Sequence, residues 1–238
     1  MNISVSIVIY NEKFEVLDRL LSLFDEKYKI YIFDNSPKNK LEDLCKKYSN
    51  INYIYNNGEN IGFGAGHNKL FREFAIESEV HLIVNPDIYF DTKELKNFLQ
   101  WFEHSDAVMA LPKILNTDGT TQKVVRKIPT PLDLMKRRIG LEQGELKVPE
   151  KSVTEIPFAH GCFMALKMNV FKKLGGFDER FFMYMEDVDI WRRAKKYGKT
   201  VINTNYSIYH EYRKGSSKNL KLFWYHIISV LKYFWKYK

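Results

Sequence analysis

Cysteine is scarce in this chain of 238 residues: only Cys45 and Cys162 occur. Two thiols cannot build a disulfide framework, and their scarcity suits a reducing cytosol rather than a secreted scaffold. The chain opens at once on the strand-like "NISVSIVIY", with no basic segment, h-region and cleavage site, so no signal peptide is expected. No apolar stretch is long and clean enough to cross a bilayer. Nucleotide motifs are missing as well. There is no G-x-x-x-x-G-K-[ST], which argues against a P-loop ATPase. The stretch "NIGFGAGHN" (60–68) approaches the dinucleotide fingerprint G-x-G-x-x-G but carries His67 where the last glycine belongs, which weakens a Rossmann assignment. Repeats, low-complexity tracts and linker-like segments are also lacking, so a single domain is the simplest organisation.

What is present is the composition of a folded globular protein, 45% hydrophobic and 28% charged, with enough length for a real core. The net charge of +8 favours anionic partners: nucleic acid, a nucleotide substrate or a phospholipid surface. Charge alone does not choose among them.

The first half alternates strands and helices. Strands are predicted over 4–10, 28–33, 51–55 and 80–84, with helices between them. Leu17, Leu20, Leu21 and Phe24 share one helical face, and further helices are predicted over 67–78 and 92–104. Such alternation implies an α/β fold, a mostly parallel sheet flanked by helices, with ligands gathered at the carboxyl ends of the strands. Polar clusters fall at those ends: "NE" after the first strand, "DNSP" after the second, "NPD" after the fourth. Turns are polar anyway, so it is their shared edge that carries meaning. Further on, "NTDGTTQ" reads as a hairpin turn, and 123–150 as a basic, irregular or mobile segment. "FAHGCFMALK" returns to strand, and "EDVDIWRRAKKYG" (186–198) bears helix start and stop signals.

Several stretches carry candidate chemistry beside a plainer alternative. In "NPDIYF", Pro86 should end the ladder, leaving Asp87 at the strand end. That carboxylate suits Mg²⁺ or Mn²⁺, which take oxygen ligands and accept phosphates as the remainder. Equally, Asp87 or Asp91 suits the cap of the following helix. Glu186, Asp187 and Asp189 open a helix, where acids compensate the macrodipole. Crowded carboxylates behind the aromatic run "FFMYM" would also gain proton affinity, as a general base needs. The glycines of 60–68 suit either a phosphate approached by backbone amides or a tight turn. His210 is either structural or a ligand. Arg213 and Lys214 precede Gly-Ser-Ser, a cationic loop able to close over phosphate or simply to be solvated.

The clearest periodicity lies in "LKLFWYHIISVLKYFWKYK". Leu220, Phe223, Trp224, Ile227, Ile228, Leu231, Phe234 and Trp235 line one face, with Lys221, Ser229, Lys232 and Lys236 on the other. A basic helix rich in Trp and Tyr suits a membrane interface, where anionic lipid adds attraction for lysine. Packing on the domain or on another subunit is the alternative.

Taken in order, "SIVIYNE", "FDNSP", "NIGFGAGHN", "NPDIYF", "HGCFMALK", "GGFDERFFMYMEDVDIWRRAKKYG" and "YHEYRKGSS" resemble the family 2 glycosyltransferases of GT-A fold, in particular the bacterial rhamnosyltransferase-like members. The resemblance covers residues 3 to about 215. It implies a GT-A domain over 1–215, followed by the basic aromatic helix of 216–238. It implies that Tyr10, Asn11 and Glu12 line the nucleoside end of a donor pocket, that Asp34 bonds the pyrimidine base, and that Asn60 and Gly62 sit beside the nucleotide. Asp87 matches the metal-binding aspartate of the family's D-x-D, whose first position is here Asn85. Asp187 matches the catalytic base, with Glu186 and Asp189 on the acceptor side, and Arg213 beside substrate. His210 falls where some members supply another metal ligand.

The implied activity is inverting transfer of a sugar, with rhamnose from its dTDP donor as the expected case (dTDP or UDP carrier), to a saccharide hydroxyl. A divalent cation, Mg or Mn, is the implied cofactor. The implied acceptor is lipid-linked, in cell-surface polysaccharide synthesis at the cytoplasmic face of the membrane, with the protein peripheral there and no nucleic-acid partner. One rival is a sugar-1-phosphate nucleotidyltransferase, although "YNEKFEVLDR" lacks the Gly-rich basic loop expected after its first strand. Another is a non-enzymatic basic protein binding nucleic acid or membrane.

Overall fold

A first strand, β1 (Ile3–Ile9), is apolar on one face through Ile3, Val5, Ile7 and Ile9, while Ser4 and Ser6 on its other face are buried too. A strand covered on both sides belongs in the middle of a parallel sheet. The computed structural model, which describes residues 1–138, 141, 144–211 and 220–238, places it there. The chain continues through α1 (Phe14–Ser22), β2 (Tyr28–Asp34), α2 (Glu42–Cys45), β3 (Ile51–Tyr55), α3 (Phe63–Phe74) and β4 (Val80–Val84). Then come β5 (Ile88–Tyr89), α4 (Thr92–His104), β6 (Ala107–Leu115), β7 (Val125–Arg126), α5 (Pro131–Arg138), β8 (Val153–Glu155) and β9 (Phe158–Ala159). The remainder is β10 (Phe163–Lys167), α6 (Met168–Leu174), α7 (Glu186–Ala194), β11 (Lys199–His210) and α8 (Leu220–Lys236).

The main sheet runs β3-β2-β1-β4-β10-β6-β11-β5, with β8 added against β11; β7 and β9 pair separately. Strands β3, β2, β1 and β4 are mutually parallel, and β11 is parallel to β6. Strand β10 runs against both β4 and β6. The chain steps outward from β1 to β3 and returns to β4 on the other side of β1. That reversal is a topological switch point, the place where open α/β sheets bind ligands. Because β10 is antiparallel, its first residues lie at the same edge as the last residues of β1, β2 and β4.

The predicted strands and the 92–104 helix fall where expected, but three elements differ. Helix α3 begins at Phe63, four residues before the predicted start, so the glycines lie in its first turn rather than in a preceding loop. They answer to close packing. A Cβ on Gly64 would stand 2.8 Å from the Cβ of Phe177, and one on Gly66 2.9 Å from a methyl of Val8. The basic 123–150 stretch holds β7 and α5. The strand predicted over 158–167 is two, β9 and β10, divided at His160-Gly161-Cys162.

Behind β1 the hidden serines join two histidines. Ser4 Oγ bonds His81 Nδ1 at 2.7 Å, and Ser6 Oγ bonds both His81 Nε2 at 2.9 Å and His67 Nδ1 at 2.7 Å. Burial holds both rings neutral, pushing His81 down to about 3 and His67 well below its usual value. An unfolded chain protonates these rings near pH 6.5 while the native one does not, so their contribution to stability is present above that pH and declines below it. Substituting His81→Gln is therefore expected to shift the stability difference in the variant's favour by up to about 1.4 kcal/mol per pH unit between pH 6.5 and 4. Urea titrations of both proteins across that range check it, and parallel pH profiles would refute it.

Candidate active site

Polar side chains collect at the carboxyl edge beside the switch point. Asp34 ends β2 and is fully buried; its Oδ1 accepts from the Ser36 amide and its Oδ2 from the Tyr53 hydroxyl, each at 2.7 Å. Asn35 follows. Its amide donates to Ile9 O at 2.9 Å, its Nδ2 to Gly62 O at 3.1 Å, and its Oδ1 accepts from the Ile61 amide at 3.1 Å. One asparagine thus fastens the ends of two strands to the loop entering α3. Beyond β1, Tyr10 is 54% exposed, Asn11 takes a left-handed φ of 52° and donates its amide to Ser36 Oγ, and Glu12 accepts from the Lys13 amide. Asn60 Oδ1 receives the Gly62 amide at 2.9 Å. Five of the expected nucleotide residues, with Asp34, therefore share one corner, and Tyr10 offers it an exposed ring.

The second cluster lies past β4. The Asn85 amide donates to Cys162 O at 2.9 Å, the last rung to β10 before Pro86 turns the chain away. The cap of α4 is Asp91, whose Oδ1 takes the Lys93 and Glu94 amides at 2.8 and 3.1 Å. Asp87 is left for other work. Its Oδ1 is buried without a hydrogen bond and stands 3.4 Å from His210 Nε2. Gln122 orients that ring: its Nε2 donates to His210 O at 2.8 Å, so its Oε1 faces His210 Nδ1 at 3.0 Å. With Nδ1 donating, Nε2 is the ring atom aimed at Asp87. Burial lowers the imidazole's proton affinity, but pairing with Asp87 and with Cys162 outweighs it and lifts His210 to about 10. Among the described residues no three His, Cys, Asp or Glu side chains gather as a complete metal site. An orphaned carboxylate oxygen facing an oriented imidazole is a fitting partial set for a hard divalent cation that displaces the Nε2 proton and takes its other ligands from phosphates.

The third cluster opens α7. Tyr184 and Met185 are consecutive non-glycine residues at φ 66° and 65°, a conformation costing about 1–3 kcal/mol apiece. They turn the chain so that Glu186 and Asp187 enter the protein. Asp187 accepts from the Val188 and Gly161 amides, and a Cβ on Gly161 would lie 3.4 Å from that of Asp187. Burial pushes Asp187 up to about 6, with those amides and Arg126 acting against it. Burial and the charge of Asp187 hold Glu186 well above the usual carboxylate range, and its Oε2 finds no partner. Gly161 and Cys162 are thus the two-residue link between the clusters: one touches Asp187, the other binds Asn85.

Asp189 does something different from its predicted neighbours. It is fully buried, its Oδ2 taken by Arg193 Nε at 2.6 Å and its Oδ1 by Lys236 and the Tyr237 hydroxyl. Oδ2 thus braces α7 itself, and Oδ1 serves the docking of α8. Ser229 and Lys236, expected on the outer polar face of that helix, point inward for the same reason: Ser229 Oγ donates to Met183 O at 2.7 Å. Arg213 lies outside the described residues. Sequence reasoning passed over Asn35, Tyr53, Gln122, Arg126 and the Gly161-Cys162 link. Asn35 stood in the polar cluster after the second strand, Tyr53 and the link in predicted strands, Gln122 in the predicted hairpin turn and Arg126 in the basic segment, none with a chemical signature of its own.

Comparison with known proteins decides the family. The sequence model described as Glycosyl transferase family 2 matches residues 4–175. The chain belongs to that family. Among relatives, it is 30% identical over 195 residues to the low-salt glycan biosynthesis hexosyltransferase Agl10 of Haloferax volcanii, covering 81% of this chain and 62% of that protein. It is 25% identical to the rhamnosyltransferase WbbL of Escherichia coli K12, covering 90% and 84%, and 24% identical to the N-acetylglucosaminyl-diphospho-decaprenol L-rhamnosyltransferase of Mycobacterium tuberculosis, covering 75% and 64%. The chain thus spans under two thirds of the haloarchaeal and mycobacterial relatives. In fold it matches GalNAc-T7 with UDP, GalNAc and Mn²⁺ at TM-score 0.68 and 18% identity, over 92% of this chain and 44% of that one. It also matches Staphylococcus aureus TarS 1-349 in complex with UDP-GlcNAc, at 0.65 and 16%, over 90% and 60%. The α/β architecture is that of a family 2 glycosyltransferase of GT-A fold, and the family match sets the nucleotidyltransferase and the non-enzymatic binder aside.

Proposed function

We propose that this family 2 member transfers rhamnose from a deoxythymidine diphosphate carrier to a hydroxyl of a lipid-linked saccharide, inverting the anomeric carbon, in cell-surface polysaccharide synthesis. One observation carries the proposal: an orphaned carboxylate paired with a histidine, and a half-buried carboxylate of raised proton affinity, flank the same Gly161-Cys162 link at the switch-point edge. The names of the bacterial relatives support the sugar and the lipid carrier. The corner around Tyr10, Asp34 and Asn60 receives the nucleoside. Asp87 and His210 would hold a divalent cation, Mg or Mn, which when bound offsets charge developing on the diphosphate leaving group. Asp187, ionised at neutral pH yet more basic than a free carboxylate, accepts the proton of the attacking hydroxyl. Burial and the Asp187 charge favour the protonated form of Glu186, which leaves the pair's charge to its neighbour. One displacement requires no protein nucleophile, and in-line positioning supplies much of the rate.

A thermal-shift screen with dTDP- and UDP-sugars, with and without Mn²⁺, tests this. At a hundredfold excess over Kd, the right donor should add about 2.7 kcal/mol, or about 5–10 °C for a chain of this size. Asp87→Ala should remove the cation dependence. Stabilisation by neither nucleotide would end the proposal.

No helix among the described residues is long and apolar enough to cross a membrane. Helix α8 nevertheless turns a stripe of Leu220, Trp224, Ile228, Leu231 and Trp235 outward, each 44–78% exposed. Its tryptophans and the flanking, exposed Lys221 fit an anionic lipid surface at the cytoplasmic face, where the acceptor's lipid would be anchored. Flotation with phosphatidylglycerol vesicles should be lost in Trp224→Glu/Trp235→Glu; undiminished binding would refute the membrane assignment.

A further inference from the structure

Helix α8 has an inner face as well as an outer one, and that inner face follows a single segment. Lys236 reaches Asp178, Lys232 Nζ donates to Arg180 O at 2.7 Å, and Tyr233 meets Phe181 with ring centroids 6.5 Å apart. Next, Tyr225 packs on Phe182 at 4.5 Å, Ser229 bonds Met183 O, and His226 stands edge-on to Tyr184 at 5.1 Å. The segment so lined ends in the left-handed pair Tyr184-Met185, directly before Glu186 and Asp187. On its other side, Phe182 O accepts from the Phe63 amide at 3.1 Å, and a Cβ on Gly62 would come within 2.2 Å of that oxygen. Phe182 is therefore clamped between the loop expected beside the nucleotide and α8.

We propose that α8 is a positioning element of the reaction: through Ser229 and Tyr225 it braces residues 181–185, and so sets both Asp187 and the donor loop at Gly62. Ser229 and Tyr225 are not among the residues assigned to donor, cation or acceptor. They act through Met183 O and the Phe182 ring, and the strained pair keeps its turn because α8 closes over it. A backbone held in a sparsely populated conformation persists only while its surroundings over-determine it. Asp189 adds a second fastening on α7 itself, by way of Lys236 and Tyr237. The proposal rests on the assignment of Asp187 as the base.

The test uses the full chain and the variants Ser229→Ala, Tyr225→Ala, Tyr225→Phe and Asp187→Asn. Turnover is read as nucleoside diphosphate released from whichever of dTDP-rhamnose or UDP-N-acetylglucosamine stabilises the protein; amide hydrogen exchange is read by mass spectrometry. Ser229→Ala and Tyr225→Ala should lower kcat about tenfold with the donor KM within about twofold, as loss of positioning does. Exchange should quicken in 181–187 and 61–64 while β1, β2 and β4 keep theirs. Tyr225→Phe, which restores the ring, should recover most of the loss. Unchanged kcat and exchange in both alanine variants would overturn the proposal. So would a uniform loosening in which kcat, KM and melting temperature all fail together. Should Tyr225→Ala not fold, Ser229→Ala decides. Full turnover in Asp187→Asn would defeat the base assignment instead, and exchange in 181–187 would still report on the brace.

Discussion

Asp187→Asn should lower kcat by about 10²–10⁴, the span that a positioned general base contributes, while leaving the protein more stable than before. The second half of the expectation distinguishes chemistry from damage. Asparagine keeps an oxygen to accept from the Val188 amide, so that bond survives. What goes is a charge that the fold tolerates poorly, since burial raises this carboxyl from 3.8 to about 6. A group whose native pKa lies above its unfolded one opposes folding once the pH climbs past both. Removing it should therefore return on the order of 1–3 kcal/mol at pH 8 and nothing at pH 3. The wild-type protein should also lose kcat/KM below about pH 6 as Asp187 takes up its proton. Denaturant titration beside steady-state kinetics reads both effects. A variant that is inactive because it is unfolded, or one that is active, would each contradict the expected pair.

Gly62→Ala is expected to cost about 2–4 kcal/mol, because two penalties coincide at that position. Its φ of +93° lies where a side chain is strained, and the new Cβ would stand 2.2 Å from Phe182 O. That oxygen cannot swing aside as a side-chain tip would, because it accepts from the Phe63 amide. Relief requires moving residues 61–63 or the segment entering α7. Turnover should thus fall in the molecules that stay folded, and nucleotide binding should weaken with it. Urea unfolding and donor titration measure the two losses, and a change in stability under 1 kcal/mol would contradict this packing.

The sheet could be read from the chain because its strands are apolar runs bounded by polar turns, a local pattern that tertiary contacts reinforced rather than overrode. Asp87, Asp187 and His210 stand out as candidates for a similar reason: each ends or begins an element and stands in a recognisable string. The glycines of 62–66 misled, since a run of glycine before a periodic segment signals a loop unless the close approach of Val8 and Phe177 is known. Asp189 and Ser229 misled in the same way. Ser229 was placed by the spacing of one helix alone and Asp189 by the resemblance, whereas their partners lie 46 to 48 positions away in sequence. Tyr53 and Gln122 carry no signal at all, because what matters is the strand or turn across from them.

That separation has a consequence for how the protein comes into being. Ser229 leaves the ribosome 46 residues after Met183, the residue it secures. The sheet and the corner around Asp34 can assemble while the turn before Glu186 still lacks its brace. On the proposed roles, a nascent chain would hold the nucleotide corner before it holds a positioned base, so competence to bind would precede competence to react.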